Sequence, residues 1–200
     1  IYRQMENPRE VSGGSAANTI AGLSALGGEA AFVGKIKEDA LGKVFRDDIK
    51  RIGVRFDTPA FEDGAPGATA RCMVLVTPDA QRSMLTDLGV SGLLTASDLP
   101  EATIQAAKIL YLEGYLWDNV ETKRAFSAAA EQAKAAGGAV ALTLSDSFCV
   151  DRHRDSFKEL VAGQVDILFA NEAEILSLYE TDDFDTAMTE AARNAPIAVV

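Results

Sequence analysis

The sequence holds one histidine and two cysteines, and each scarcity excludes chemistry. Cys72 and Cys149 lie far apart with no Cys-x-x-Cys spacing, so neither a zinc site nor a disulfide framework is supported, and a reduced, cytoplasmic setting is expected. His153 stands among Asp151, Arg152 and Arg154 with no second histidine, so no Ser-His-Asp arrangement can be built and a solvated helix start is expected there. Positive charge is in deficit: 19 Lys and Arg against 30 Asp and Glu give a formal net charge of −11. Affinity for nucleic acid comes largely from phosphate neutralisation, so no nucleic-acid partner is expected. No run approaches the roughly 18 apolar residues of a membrane span, so no membrane partner is expected. Residues 1–8 lack the basic start, apolar core and cleavage site of a signal peptide. They also lack an initiator Met, which points to a beginning in mid-protein. Phosphate fingerprints are missing too: Gly28 to Lys35 has the wrong spacing for a P-loop, Ile36 stands where Ser or Thr is required, and no G-x-G-x-x-G follows a strand.

What is present is apolar patterning. With 48% hydrophobic residues, 200 residues bury a core sufficient for one globular domain or most of one. Small and apolar residues at 15–26 predict a helix stopped by Gly27-Gly28, followed by a strand at 30–36 and a helix at 38–52 closed by Gly53. From 54 to 88, apolar runs broken by Asp63-Gly64, Pro66-Gly67 and Thr77-Pro78-Asp79-Ala80 predict antiparallel strands near 54–61, 69–77 and 82–88. Helices and strands then alternate: helix 97–107, strand 109–113, helix 119–136, strand 139–144, helix 151–161, strand 165–170, helices 172–179 and 183–193, and a strand from 197. Continuous apolar strands between amphipathic helices imply a mostly parallel sheet covered on both faces. The expected organisation is an α/β core over 1–53 and 89–200, with 54–88 projecting as a β-strand lid. Ligands of such sheets bind beyond the carboxyl ends of the strands, which singles out 113–118, 145–150 and 171–174. The chain stops inside a buried strand and so reads as a fragment.

Four groups of residues carry candidate chemistry. Gly13-Gly14-Ser15-Ala16-Ala17-Asn18 opens a helix; its glycines admit a ligand to the backbone, and Asn18 offers the donor and acceptor that neighbouring sugar hydroxyls need. The same run equally suits an ordinary loop with Ser12 or Ser15 as cap. Arg82 follows a Pro-Asp turn, either solvated or available to a transferring phosphate. Tyr115, Leu116, Trp117 and Phe148 stand at predicted strand ends, where they stack a base or pack the core. Asn171-Glu172-Ala173-Glu174 begins a helix, and an amide with a carboxylate suits Mg²⁺, which keeps several waters. An acidic first helical turn is the plainer reading of that run.

The spacing Gly13-Gly14-x-x-x-Asn18, followed by Gly27, Gly34 and Gly42, resembles the ribokinase/PfkB carbohydrate kinase family, as do Asp39-Ala40-Leu41-Gly42 and Asn171-x-x-Glu174. The resemblance covers nearly all of 12–200, and the segments 113–118 and 144–148 are similar to its bacterial adenosine-kinase-like branch. It implies a three-layer ribokinase-like α/β fold with a small antiparallel β lid, ATP and Mg²⁺ as cofactors, and a monomer or homodimer. It implies phosphoryl transfer to a primary hydroxyl of a nucleoside, adenosine 5′-OH first, with ribose or fructose as the alternative. Gly13, Gly14, Ser15 and Asn18 are then expected at the ribose, Tyr115, Leu116 and Phe148 at the base, and Arg82 at the phosphate. Asn171 and Glu174 are expected to organise Mg²⁺ through water. The family's Gly-Ala-Gly-Asp motif, which carries the general base, is absent, as is its first strand. The base is therefore expected outside this chain, and the chain alone is expected to be inactive. A non-catalytic nucleoside- or sugar-binding module is the rival from another class; a Gly-Ala-Gly-Asp further along the gene would decide against it.

Overall fold

The structure, a computed structural model, describes residues 9–62, 64 and 66–200; the turn signal at Asp63 lies outside them. Two compact units divide the chain at Leu94 and Thr95.

In the first unit, helix α1 (Ser15–Ala25) starts where Gly14 takes φ 109, a geometry that strains any residue with a Cβ. It stops at Gly27 (φ 84), with the Gly27 and Gly28 amides donating to the Ser24 and Leu23 carbonyls at 2.9 and 3.0 Å. Helix α2 (Ala40–Arg51) is capped by Asp39, which accepts from the Gly42 amide at 2.8 Å, and carries Lys50 and Arg51 in its last turn. The helices bury Ala17 and Ile49 against Ile36, Val54 and Phe56. Phe32, Phe45 and Phe56 meet with ring centroids 5.5–5.8 Å apart. Each large apolar side chain buried here contributes about 1.5–3 kcal/mol.

Segment 54–61 departs from expectation. It pairs in parallel, not antiparallel, and only through isolated bridges, Ala31 with Arg55 and Lys37 with Phe61. The Phe32 amide donates to Arg55 O at 2.8 Å and the Phe61 amide to Ile36 O at 2.9 Å. The reason is α2 itself: a helical crossover returns the chain in the same direction, whereas an antiparallel partner needs only a short turn. The antiparallel element is a two-stranded ribbon, β1 (Arg71–Val76) with β2 (Arg82–Asp87), registered Val76 to Arg82 and Arg71 to Asp87. Its tip closes through Ala80 N to Thr77 O at 2.8 Å and Thr77 N to Gln81 O at 2.9 Å.

The second unit is a parallel sheet with helical crossovers. Its elements are α3 (Glu101–Ala106), β3 (Ile109–Glu113), α4 (Val120–Ala135), β4 (Ala139–Thr143), α5 (Ser147–Gln164), β5 (Ile167–Phe169), α6 (Glu172–Tyr179), α7 (Phe184–Asn194) and β6 (Ile197–Val199). The order β3-β4-β5-β6 follows the sequence, in the register Leu112, Leu142, Leu168, Ala198. Val140, Leu142, Leu168, Phe157, Ile175 and Leu178 are fully buried. The fold is thus α/β, a mostly parallel sheet flanked by helices plus a small antiparallel pair. Among the described residues no helix is long and apolar enough to cross a membrane.

Two local expectations need correction. Helix α5 begins at Ser147, not 151, because Asp146 caps it by accepting from the Cys149 amide at 2.6 Å; Phe148 therefore lies in a first helical turn. The helix is also broken at His153 (φ −130, ψ 21), which is not a solvated helix start. Its side chain is only 17% exposed, donates to Asp118 at 2.6 Å and accepts from Lys123 at 3.3 Å.

Candidate functional site

In the first unit, Gly13, Gly14, Ser15 and Asn18 are all exposed on the loop and first turn of α1. The Asn18 amide closes that turn on Gly14 O at 2.8 Å, which fixes where its side chain leaves the helix. Ser12 anchors the loop from below, donating to Asp48 at 2.5 Å. A Cβ added at Gly13 would meet nothing, whereas Gly14 is required by its φ, so the two glycines have different reasons. Arg82 opens β2, exposed, and no ion pair engages it among the described residues. A guanidinium so placed keeps all its donors for an anion.

In the second unit, β3, β4 and β5 deliver their carboxyl ends side by side. Tyr115 follows β3 in a 3-10 turn (Gly114–Asp118), is 40% exposed, and donates from its hydroxyl to Ser145 O at 3.0 Å. Ser145 holds φ 75, a left-handed conformation uncommon outside glycine, Asn and Asp. Leu116 is half-buried beside it. Phe148 is 73% exposed, whereas Trp117 is 3% exposed, stacks on Phe157 at 5.3 Å and donates to Ser156 at 2.7 Å. Trp117 is core and not a platform for a base. Burial pushes the Tyr115 phenol up, and the carboxylates of Asp146, Glu113 and Glu174 add to that, so this edge is electronegative. Asp146 stands immediately before the helix and two residues ahead of its first apolar position, Phe148, which is a cap signal in the sequence.

Asn171 and Glu174 form a reciprocal helix cap. Glu174 N donates to Asn171 Oδ1 at 2.9 Å, while Asn171 N and Nδ2 donate to the two Glu174 oxygens at 3.0 and 2.8 Å. Burial pushes the Glu174 carboxyl above its ordinary value despite the Asn171 bond, and Asp146 adds to the rise. Among the described residues no group of three or more His, Cys, Asp or Glu side chains could hold a metal ion. The donors present, one amide and one carboxylate already bonded to each other, fit a water-mediated Mg²⁺ contact and not direct ligation.

Two apparent candidates carry no site chemistry. Cys149 is buried, donates to Gly114 O at 3.2 Å, and burial raises its thiol to about 11, so it is no nucleophile. A concavity of about 440 Å³ at the α5 break is lined by Lys123, Arg152, His153 and Arg154, but also by Asp151, Asp155 and Glu180. Its two arginines are matched: Arg152 bonds Asp118, and Arg154 bonds Asp151 and Glu180.

The comparisons with known proteins concern the chain as a whole. Residues 3–199 match the pfkB family carbohydrate kinase description. The chain is 48% identical to the adenosine kinase from Sinorhizobium meliloti, with a TM-score of 0.93, covering 98% of this chain and 60% of that one. It is 30% identical over 190 residues to the ATP-dependent ribose-1-phosphate kinase of Halopiger xanaduensis, covering 90% of this chain and 59% of the relative. It is 33% identical over 131 residues to the Arabidopsis thaliana protein named "Probable fructokinase-6, chloroplastic", covering 64% of this chain and 34% of the relative. The chain thus spans less than two thirds of each. A match over almost every residue, on a fold that superposes so closely, is decisive for membership: the chain belongs to the pfkB carbohydrate kinase family.

Proposed function

We propose that this kinase transfers the γ-phosphoryl group of ATP to the primary hydroxyl of a nucleoside, adenosine 5′-OH first. The observation that carries the reading is Phe148, a phenyl ring left 73% exposed in the first turn of α5 at the carboxyl edge of the sheet. Exposed aromatic surface in such a place suits a base, and stacking one on it is worth about 1–3 kcal/mol. The 48% identity to an adenosine kinase supports the same choice.

Each residue then has a task. Gly13, Gly14 and Ser15 bring backbone close to the ribose, and the Asn18 amide donates to and accepts from its hydroxyls. Tyr115 offers its ring face, since its hydroxyl is bonded to Ser145, and Leu116 fills beside it. Arg82 places positive charge on the transferring group, where such charge counts most. Bound Mg²⁺ would neutralise phosphate charge, held through water by Asn171 and Glu174. No Gly-Ala-Gly-Asp stands among these 200 residues, so we assign neither the proton-accepting base nor the ATP phosphate cradle to them.

A sugar kinase is the second reading, favoured by the relatives named as fructokinase and ribose-1-phosphate kinase. Phe148→Ala in the full-length protein separates the two. For a nucleoside kinase, kcat/KM for adenosine falls about 5- to 150-fold, the equivalent of 1–3 kcal/mol, while that for ribose stays unchanged. Equal falls for both would overturn the nucleoside assignment and return Phe148 to a structural role.

A further inference from the structure

The β1–β2 ribbon is exposed along almost its whole length: every residue of β2 is exposed, and all but Met73 of β1. A ribbon with so little packed against its faces takes its orientation from its two feet. Both feet are bolted to one point. On the entry side Thr69, 5% exposed, donates its amide to Asp39 Oδ2 at 2.9 Å and its hydroxyl to Asp39 Oδ1 at 2.7 Å. The same hydroxyl oxygen accepts from the Lys37 amide at 3.0 Å, and Lys37 Nζ donates to Gly67 O at 3.0 Å. Asp39 is simultaneously the cap of α2. The exit side crosses the entry: Val90 N donates to Ala68 O at 2.9 Å, and Ser91 donates to Lys35 O at 3.1 Å. Contact is so close that a Cβ at Gly42 would stand 2.0 Å from Lys37 O, and one at Gly89 2.1 Å from Ala68 O. Gly67 (φ 95) and Gly89 (φ 47) turn the chain on either side of the ribbon.

We propose that Asp39 and Thr69 are positioning residues: their clamp fixes the base of the ribbon on the N-terminus of α2 and thereby sets where Arg82 is held during phosphoryl transfer. The catalytic half rests on the phosphate role given to Arg82 above. A carboxylate is needed because three donors converge on it, two on one oxygen and one on the other. An asparagine keeps one acceptor oxygen but turns an NH₂ toward the Thr69 amide. Thr69→Val keeps the shape and removes the hydroxyl that both accepts and donates.

The test uses the full-length protein with Thr69→Val, Thr69→Ser and Asp39→Asn. Amide hydrogen exchange of 67–76 and 82–90 reads the clamp directly, and kinetics read its consequence. Thr69→Val and Asp39→Asn should speed ribbon exchange about 10- to 100-fold, with exchange in α4 and α5 unchanged. They should lower kcat at least about tenfold with a smaller change in the nucleoside KM, and Thr69→Ser should restore both. In an Arg82→Ala background, Thr69→Val should lower kcat no further. Wild-type exchange in the ribbon of both variants would overturn the clamp. Faster exchange with unchanged kcat would overturn its positioning role. If Arg82→Ala alone left kcat intact, the phosphate role of Arg82 would fall, while the exchange result would still decide the clamp. Should Thr69→Val fail to fold, Asp39→Asn alone carries both measurements.

Discussion

Replacing Tyr115 with Phe removes one oxygen and leaves the ring. The hydroxyl donates to Ser145 O at 3.0 Å across 30 residues of sequence, and it does so 40% exposed. A neutral hydrogen bond contributes about 0.5–1.5 kcal/mol net, and partial exposure places this one near the lower end. Its acceptor is unusual, because Ser145 sits at φ 75, where a residue with a Cβ is strained by about 1–2 kcal/mol. If the bond is what holds that conformation, Tyr115→Phe loses about 0.5–1 kcal/mol, and urea unfolding should show it as a shift in midpoint at constant slope. Ser145→Gly alone should be neutral to about 1 kcal/mol stabilising, since relief of strain is only partly offset by about 0.4–1 kcal/mol of added freedom in the unfolded chain. The double variant is the decisive measurement. Glycine needs no outside bond to stay left-handed, so Ser145→Gly should recover most of what Tyr115→Phe loses, with a coupling of about 0.5–1 kcal/mol. Strict additivity would refute the reasoning: the bond would then be incidental to the turn. The adenosine KM should follow the same pattern, rising in the single Tyr115 variant and returning in the double.

Gly114→Ala should destabilise by about 1–3 kcal/mol in urea unfolding, because its Cβ would stand 2.7 Å from the Leu144 carbonyl oxygen, a backbone atom that cannot step aside. Thiol titration near pH 8 should find Cys72 reactive and Cys149 not, with Cys72→Ser removing the signal of this chain: Cys72 is exposed, while burial holds the Cys149 thiol at about 11. Acid should weaken the clamp at Asp39. Burial pushes that carboxyl up, but the Thr69 and Gly42 amides, the Thr69 hydroxyl and Lys37 outweigh it and hold the group below its ordinary value. A depressed carboxyl contributes stability that is present above its unfolded pKa and lost as pH falls through the folded one. The gap in thermal midpoint between wild type and Asp39→Asn should therefore close below about pH 4, and a gap constant down to pH 2 would contradict this.

The second unit was legible because its two periods are distinct. Runs such as Ile109 to Glu113 and Ala139 to Thr143 are apolar at successive positions, and the segments between them keep helical spacing, so element type and pairing direction follow together. In the first unit the same clues gave the two helices and the ribbon, but 30–36 and 54–61, expected as strands, pair only through isolated parallel bridges. Segment 54–61 carries strand-like residues, yet its partner was chosen by Phe56 packing on Phe32 and Phe45 across α2, which is tertiary information. The break at His153 was hidden because Val150, Phe157, Leu160 and Val161 are buried on both sides of it. The ties of Tyr115 to Ser145 and of Asp39 to Thr69 each link residues 30 apart, one of them through a main-chain carbonyl that has no sequence signature.

Site residues were harder to read than elements for a reason built into the fold. In a parallel α/β sheet the carboxyl end of each strand runs into the start of a helix, so residues that cap helices and residues that meet ligands are drawn from the same Asp, Asn, Ser and Glu set. Sequence cannot divide them, but hydrogen-bond capacity can. Asn171 and Glu174 spend theirs largely on each other, Asp146 spends part of its own on the Cys149 amide, and Asp39 accepts from three donors. Such residues shape the site and tune its charge. Asn18, Arg82 and Phe148 instead present exposed side chains at a helix start, a ribbon and a helix first turn. A group already satisfied by its own chain gains little from a ligand, whereas an exposed amide, guanidinium or phenyl ring has its interaction still to make. Substitutions in the second set should therefore change binding and turnover with little effect on stability, whereas substitutions in the first should lower stability, with turnover falling as well where, as at Asp39, the residue positions a member of the second set.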